Sequence, residues 1–233
     1  VTSTLLFVHS PVAGPTTWTE TAKILQQNGF SCIVADLTGV SAMGAPYYPA
    51  LAEAAGDAVG NGADPIVMIA HSAAGALLPA IAAYVGARTR GAVFVDAMLP
   101  QPGRSWFDTA PPGAEAQLRG LAVDGLLPPY PEWFPPGALE RLVPDAAVRR
   151  QLAAESPRLP VAYFEEPAPA IGFVDSVSCA FLRLGAPFDR AAQKAHRLGW
   201  WVARREWDHL RMLSDPTAVA GLIAQAISAS RSH

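Results

Sequence analysis

Only two cysteines and five histidines occur among the 233 residues, and no run of basic side chains appears anywhere. Each scarcity excludes something. Cys32 and Cys179 both sit inside β-like apolar runs, where a small buried thiol is commoner than a ligand or a nucleophile, so both read as inert core thiols. Seventeen Lys and Arg against twenty Asp and Glu give a formal net charge of -3. Nothing there would neutralise a phosphate backbone, and nucleic acid is not an expected partner. The apolar stretches Ile66–Ala70 and Ala76–Val85 are interrupted by His71, Ser72 and Gly75, short of the roughly 18 residues a membrane span needs, so no membrane partner is expected. No charged head followed by an apolar stretch and a small-residue cleavage site opens the chain, which makes the cytoplasm the expected location. Metal-ligand spacings, a glycine-rich phosphate loop and a dinucleotide fingerprint are missing too, so no metal and no cofactor is expected. Oligomeric state stays open, with a homodimer as one option.

What the chain has in quantity is apolar surface: 51% of residues are hydrophobic and only 16% charged. That composition suits one large core and excludes disorder. Short β-branched and apolar runs recur at Thr4–Val8, Cys32–Ala35, Ile66–Ala70, Ala92–Val95, Ser178–Leu182 and Trp200–Ala203. Between them lie segments with apolar residues three and four apart, including Trp18–Gln27, Leu51–Val59, Ala73–Tyr84 and Ala191–Leu198, and Thr217–Ile227 closes the series. Strands without polar alternation, separated by helices, predict an α/β fold: a mostly parallel sheet with helices on both faces.

One region breaks the alternation. Between Pro100 and Pro169 lie 14 of the 22 prolines, interleaved with aromatics. Proline at that density cannot enter sheet interiors, so short helices such as Glu115–Leu121 and Ala146–Ala154 joined by stiff turns are expected. The predicted organisation is a core of residues 1–99 and 170–233 with a Pro/aromatic-rich helical cap, 100–169, inserted over the sheet. Trp106, Tyr130, Trp133 and Phe134 are expected to face a substrate pocket beneath it, because exposed aromatics would otherwise form an apolar patch.

The stretch Asp64-Pro-Ile-Val-Met-Ile-Ala-His-Ser72-Ala-Ala-Gly75 is an apolar strand turning sharply into a helix, with serine at the turn. It resembles a nucleophile elbow, in which the serine takes a strained conformation and its neighbours two before and two after must be small. Here those neighbours are Ala70 and Ala74 instead of the usual glycines. From this motif onward the chain is similar to the α/β-hydrolase superfamily over nearly its whole length. His9-Ser-Pro-Val-Ala-Gly-Pro-Thr-Thr-Trp18 resembles the loop after the first core strand, and Phe30–Gly39 the next strand and its loop. More narrowly, these features together with F-V-D-A-M-L-P and D-G-L-L-P-P-Y-P-E-W are similar to a group of small actinobacterial α/β-hydrolases.

The resemblance implies a Ser-His-Asp triad. Ser72 would be the nucleophile and His209, in Trp207-Asp-His209-Leu-Arg-Met-Leu-Ser-Asp-Pro216 after the last strand, the general base. His71 would pack beside the elbow, His9 would support its loop, and His196 and His233 would lie at the surface and in the tail. For the acid, Asp189 in Leu182-Arg-Leu-Gly-Ala-Pro-Phe-Asp189 is preferred. Asp96 at the end of Ala92–Asp96 is the alternative, and Asp175 a lesser one. The oxyanion hole would take the Ala73 N–H and a second donor from the first loop. There Pro11 has no N–H, so Val12 or the Ser10 hydroxyl must substitute, with Pro11 left as a substrate contact. The expected activity is hydrolysis of an ester, lactone or thioester of a small, mostly apolar molecule. A lyase or cyclase of secondary metabolism, or a small-molecule receptor, are the alternatives that the Pro11 departure keeps open.

Overall fold

The computed structural model describes residues 3–172 and 177–230; Asp175 and His233 lie outside them. The chain runs β1 (Thr4–Val8), α1 (Thr16–Gln27), β2 (Ser31–Val34), α2 (Tyr47–Asp57), β3 (Ile66–Ser72), α3 (Leu78–Val85) and β4 (Thr89–Ala97). Four short helices follow: α4 (Ala114–Leu121), α5 (Ala138–Leu142), α6 (Ala146–Glu155) and α7 (Ala162–Glu165). The alternation then resumes with β5 (Ser178–Arg183), α8 (Asp189–Arg197), β6 (Trp201–Arg204), α9 (Arg211–Ser214) and α10 (Pro216–Ser230). The six strands form one sheet in the order β2-β1-β3-β4-β5-β6, and every neighbouring pair is parallel. Five of the six predicted strands fall within two residues of those observed, and the fourth, Ala92–Val95, is extended by three residues at its start and two at its end.

The uniformly apolar strands are explained by two-sided burial. Along β1, Leu6 and Val8 join one hydrophobic cluster with α2, α3 and α8, while Leu5 and Phe7 join the other with α1 and α10. The same alternation holds for Phe94 against Val95 in β4 and Phe181 against Leu182 in β5, because successive strand side chains point to opposite faces. Trp18 of α1 is fully buried, and its indole N–H donates to the Val8 carbonyl at 3.2 Å, which gives its one polar atom a partner. The chain leaves β1 in one direction to build β2 and crosses back to build β3. That reversal opens a crevice at the carboxyl ends of the strands, where α/β sheets bind ligands.

The segment between β4 and β5 shares this core. Leu118, Leu127 and Phe164 pack in the first cluster, and Leu139, Val143 and Leu152 in the second. Two of its carboxylates also complete helices of the sheet layer. The residues before α1 and α2 are Pro15 and Pro46, which have no side-chain oxygen to accept from the free first-turn amides. Glu155 of α6 accepts instead from Thr16 N–H at 2.7 Å and its hydroxyl at 2.8 Å. Glu166 accepts from the Tyr47 and Tyr48 N–H groups at 2.6 and 2.8 Å. Gly14 is required by the first of these contacts, since a Cβ there would lie 2.3 Å from Cβ of Glu155.

Candidate active site

Ser72 ends the central strand β3 with φ 56° and ψ -128°, a left-handed conformation that a non-glycine residue adopts only when its surroundings impose it. Its surroundings do. Ala70 and Ala74 are fully buried, so larger side chains at these positions would collide with the packed core. Gly75 lies so close to the end of β4 that a Cβ would meet the Met98 carbonyl oxygen at 2.1 Å. Met98 N–H donates to the Ser72 carbonyl at 2.9 Å, tying the elbow to that strand end. Ala73 opens the following 3-10 turn, Ala73–Leu77; its N–H precedes every possible intrahelical acceptor and is available to a ligand.

His209 lies in the loop between β6 and α9. Its ring is sandwiched between Phe188, stacked at 5.0 Å and 6°, and His71, with ring centres 4.4 Å apart. Its Nδ1 meets Oδ2 of Asp96 at 3.0 Å. With Nδ1–H donating to a carboxylate, Nε2 carries the free lone pair of a base.

The carboxylate at His209 is therefore Asp96, which corrects the preference for Asp189. Asp96 is fully buried and bound on every side: Oδ1 accepts from Leu184 N–H at 2.6 Å and Gly185 N–H at 3.1 Å, and Oδ2 from Gly185 N–H at 3.2 Å. The reason is a bulge. Against β3, Val95 pairs with His71 but Ala97 with Ser72, so Asp96 is an extra residue with φ 42°, and the kink re-aims its side chain. Asp189 instead begins α8 and binds Nε of Arg183 at 2.7 Å; this partner holds its carboxyl below the usual range. The buried Arg183 head also binds Glu206 at 2.7 Å and the Arg205 carbonyl, so Asp189 belongs to a network under the histidine loop.

Three further expectations are located. His9 is buried and braces the first loop: Leu37 N–H donates to its Nε2 at 3.1 Å, so Nδ1 carries the proton and donates to the Ser10 carbonyl at 2.8 Å. His71 is buried beside Trp18 and its Nε2–H donates to the His209 carbonyl at 2.9 Å, fixing the loop that carries the base. His196 lies exposed on α8.

Burial lowers the pKa of His9, and that of His71 well below the ordinary 6.5. Both therefore take up a proton less readily in the fold than in the unfolded chain. Above pH 6.5 neither state binds the proton and these groups contribute nothing. Below it the unfolded chain takes up protons that the folded one refuses, costing up to about 1.4 kcal/mol per pH unit for each histidine. Urea midpoints should therefore fall between pH 7 and pH 5, above the range where carboxylates titrate. Equal midpoints across that window would show the two imidazoles free to ionise.

A cavity of about 570 Å³ opens beside Ser72 and Ala73, lined by Met98, Leu99 and Trp106 on one side and Phe188 and α8 on the other. Of the four aromatics expected to face a substrate pocket, Trp106 lines this cavity. Tyr130, Trp133 and Phe134 are not among its lining residues; they pack on one another, with Tyr130 5.4 Å from Trp133 and 5.1 Å from Phe134. They are half-buried and pack against the two core clusters, and the Trp133 N–H is used by the Pro128 carbonyl. Pro11 is buried away from the cavity lining. The Ala13 N–H donates to the Ser10 carbonyl at 2.9 Å, closing a turn with Pro11 and Val12 at its centre. Such a turn does not use the amide of its third residue, so the Val12 N–H is left for another acceptor. Among the described residues, no cluster of three or more His, Cys, Asp or Glu could hold a metal ion, and no helix is long and apolar enough to cross a membrane.

Residues 5–222 match the model of the alpha/beta hydrolase family. Similar solved structures include a pyrethroid hydrolase from Sphingobium faniae, at TM-score 0.72 and 16% identity with all of both chains covered. Methylketone synthase I from tomato matches at TM-score 0.70 and 14% identity over 99% of each chain. An extracellular alpha/beta-hydrolase from a Paenibacillus species matches at TM-score 0.68 and 20% identity over 96% of this chain and 98% of its own. No curated protein matches the chain.

Proposed function

The chain belongs to the alpha/beta hydrolase family, and from that premise we propose that it is a serine hydrolase cleaving an ester, lactone or thioester of a small, mostly apolar molecule. The observation that carries this reading is the Asp96–His209 contact, 3.0 Å between Oδ2 and Nδ1, next to a serine held at φ 56° above a cavity. Ser72 Oγ attacks the carbonyl carbon while His209 Nε2 takes its proton. The bond to the leaving group breaks, and the imidazolium returns that proton to the departing oxygen or sulfur. Water then attacks the acyl-serine, gives a proton to His209, and releases the carboxylic acid as Ser72 regains its hydrogen. Asp96, held in place by two backbone amides, orients the imidazole and stabilises the imidazolium between the two half-reactions.

Developing charge on the carbonyl oxygen would be met by the Ala73 and Val12 amides. The turn at Ser10–Ala13 supports this by leaving the Val12 N–H uncommitted, which favours hydrolysis over the lyase, cyclase and receptor readings. Ser10 Oγ is buried without a hydrogen-bond partner among the described residues, so it is the rival donor. Ser10→Ala is expected to hold kcat/KM within about threefold, because a backbone donor survives the change. A fall of about 100-fold or more, the usual cost of an oxyanion donor, would transfer the role to the hydroxyl.

The direct test is a fluorophosphonate probe followed by mass spectrometry of the adduct. Modification at Ser72, prevented by prior unfolding, is the expected result. Modification elsewhere, or none, would overturn the covalent mechanism.

A further inference from the structure

The cavity beside Ser72 has walls of two kinds. Met98, Leu99, Trp106, Pro111 and Phe188 make most of it apolar, but α8 contributes Arg190 and Lys194. These stand four residues apart, on one face of the helix, while Ala192 and Ala195 of the same helix are buried against the sheet. No Asp or Glu lines the cavity. The acid nearest in sequence, Asp189, is taken by Arg183.

Neither Arg190 nor Lys194 forms an ion pair or side-chain hydrogen bond among the described residues. Some cations of the fold are engaged, Arg119 with Glu115 and Glu165 and Arg211 with Asp215; what sets Arg190 and Lys194 apart from other unpaired cations is that both line the cavity beside Ser72. Both side chains are exposed, and two unpaired positive charges at the rim of an apolar chamber raise the local concentration of anions there.

We propose that Arg190 and Lys194 form an anion-binding flank of this cavity, so that the substrate is an ester or thioester with a carboxylate or phosphate group remote from its scissile carbonyl. This rests on the reading of Ser72 as nucleophile. The apolar walls take the linking chain, and α8 takes the charged end. The two cations act on binding and orientation, whereas bond cleavage belongs to Ser72 and His209.

The test uses three p-nitrophenyl esters with one leaving group: hexanoate, the adipate monoester and 5-phosphonopentanoate. In the adipate monoester a carboxylate replaces the terminal methyl of hexanoate, and in the third ester a phosphonate does. At least one anionic ester is expected to exceed hexanoate in kcat/KM by about tenfold, mainly through KM; which one it is separates a carboxylate from a phosphate substrate. Raising ionic strength from about 0.01 to about 0.5 M should shrink that ratio, as screening requires. Arg190→Ala with Lys194→Ala should bring the ratio near one, and Lys194→Glu should lower it below the wild-type value. A wild-type ratio of one or less, or a ratio that survives the double substitution, overturns the proposal while leaving the hydrolase reading in place. If no ester is turned over and Ser72 is not labelled, the hydrolase reading fails by itself. The flank is then judged by calorimetric titration with the anilides: tighter binding of adipic acid monoanilide than of hexananilide, lost in the double variant, upholds it, and equal binding overturns it.

Discussion

Ser72→Ala is expected to abolish fluorophosphonate labelling and to lower ester turnover by about 10⁴-fold or more, because the nucleophile and base act as a unit and removing either removes the covalent route. The fold should survive. Alanine is as strained as serine at φ 56°, and no packing atom is lost except one hydroxyl oxygen, so the thermal midpoint should move little. His209→Ala should match the loss in turnover. An alanine variant at Ser72 retaining a tenth of wild-type turnover would mean that the elbow positions a substrate for some other group. Refolded far-ultraviolet spectra and midpoints for each variant separate lost chemistry from lost structure.

The second large effect is expected at Asp96. Replacing it by asparagine presents an amide N–H₂ to Nδ1 or forces the opposite tautomer on His209, and the equivalent change in serine proteases costs about 10⁴-fold in kcat. Because Asp96 also accepts from the Leu184 and Gly185 amides, the substitution should lower stability as well, and activity must be measured well below the new midpoint. Asp189→Asn is the control. It loosens Arg183, which keeps Glu206 and the Arg205 carbonyl, and kcat is expected to stay within a fewfold of wild type. Strong damage from Asp189→Asn with a silent Asp96→Asn would return the acid to α8.

The contrast between these two carboxylates shows where the sequence was legible. The apolar runs at Thr4–Val8, Ile66–Ala70 and Ala92–Val95 announce buried parallel strands because a strand covered on both faces has no polar alternation, a property written residue by residue. The positions of Ser72 at a strand-to-helix turn and of His209 after the last strand were equally readable from small neighbours and chain order. The insertion was marked by its prolines, and its helices α4 and α6 lie within a residue of the expected spans.

Other features depended on which distant residues meet. The sequence by itself determined the six strands, the longer helices, the parallel pairing and the types of side chain at the strand ends, but not the short helices α5, α7 and α9. Only the tertiary structure decided that an extra residue in β4 turns Asp96 toward a histidine 113 positions away. It also decided that Tyr130, Trp133 and Phe134 satisfy one another while Trp106 faces the cavity, and that a turn frees the Val12 amide behind Pro11. The physical reason is range: periodicity and turn chemistry act over a few neighbouring residues and leave a pattern in the chain, whereas a bulge's aim and a side chain's partner are settled by packing between elements and leave none.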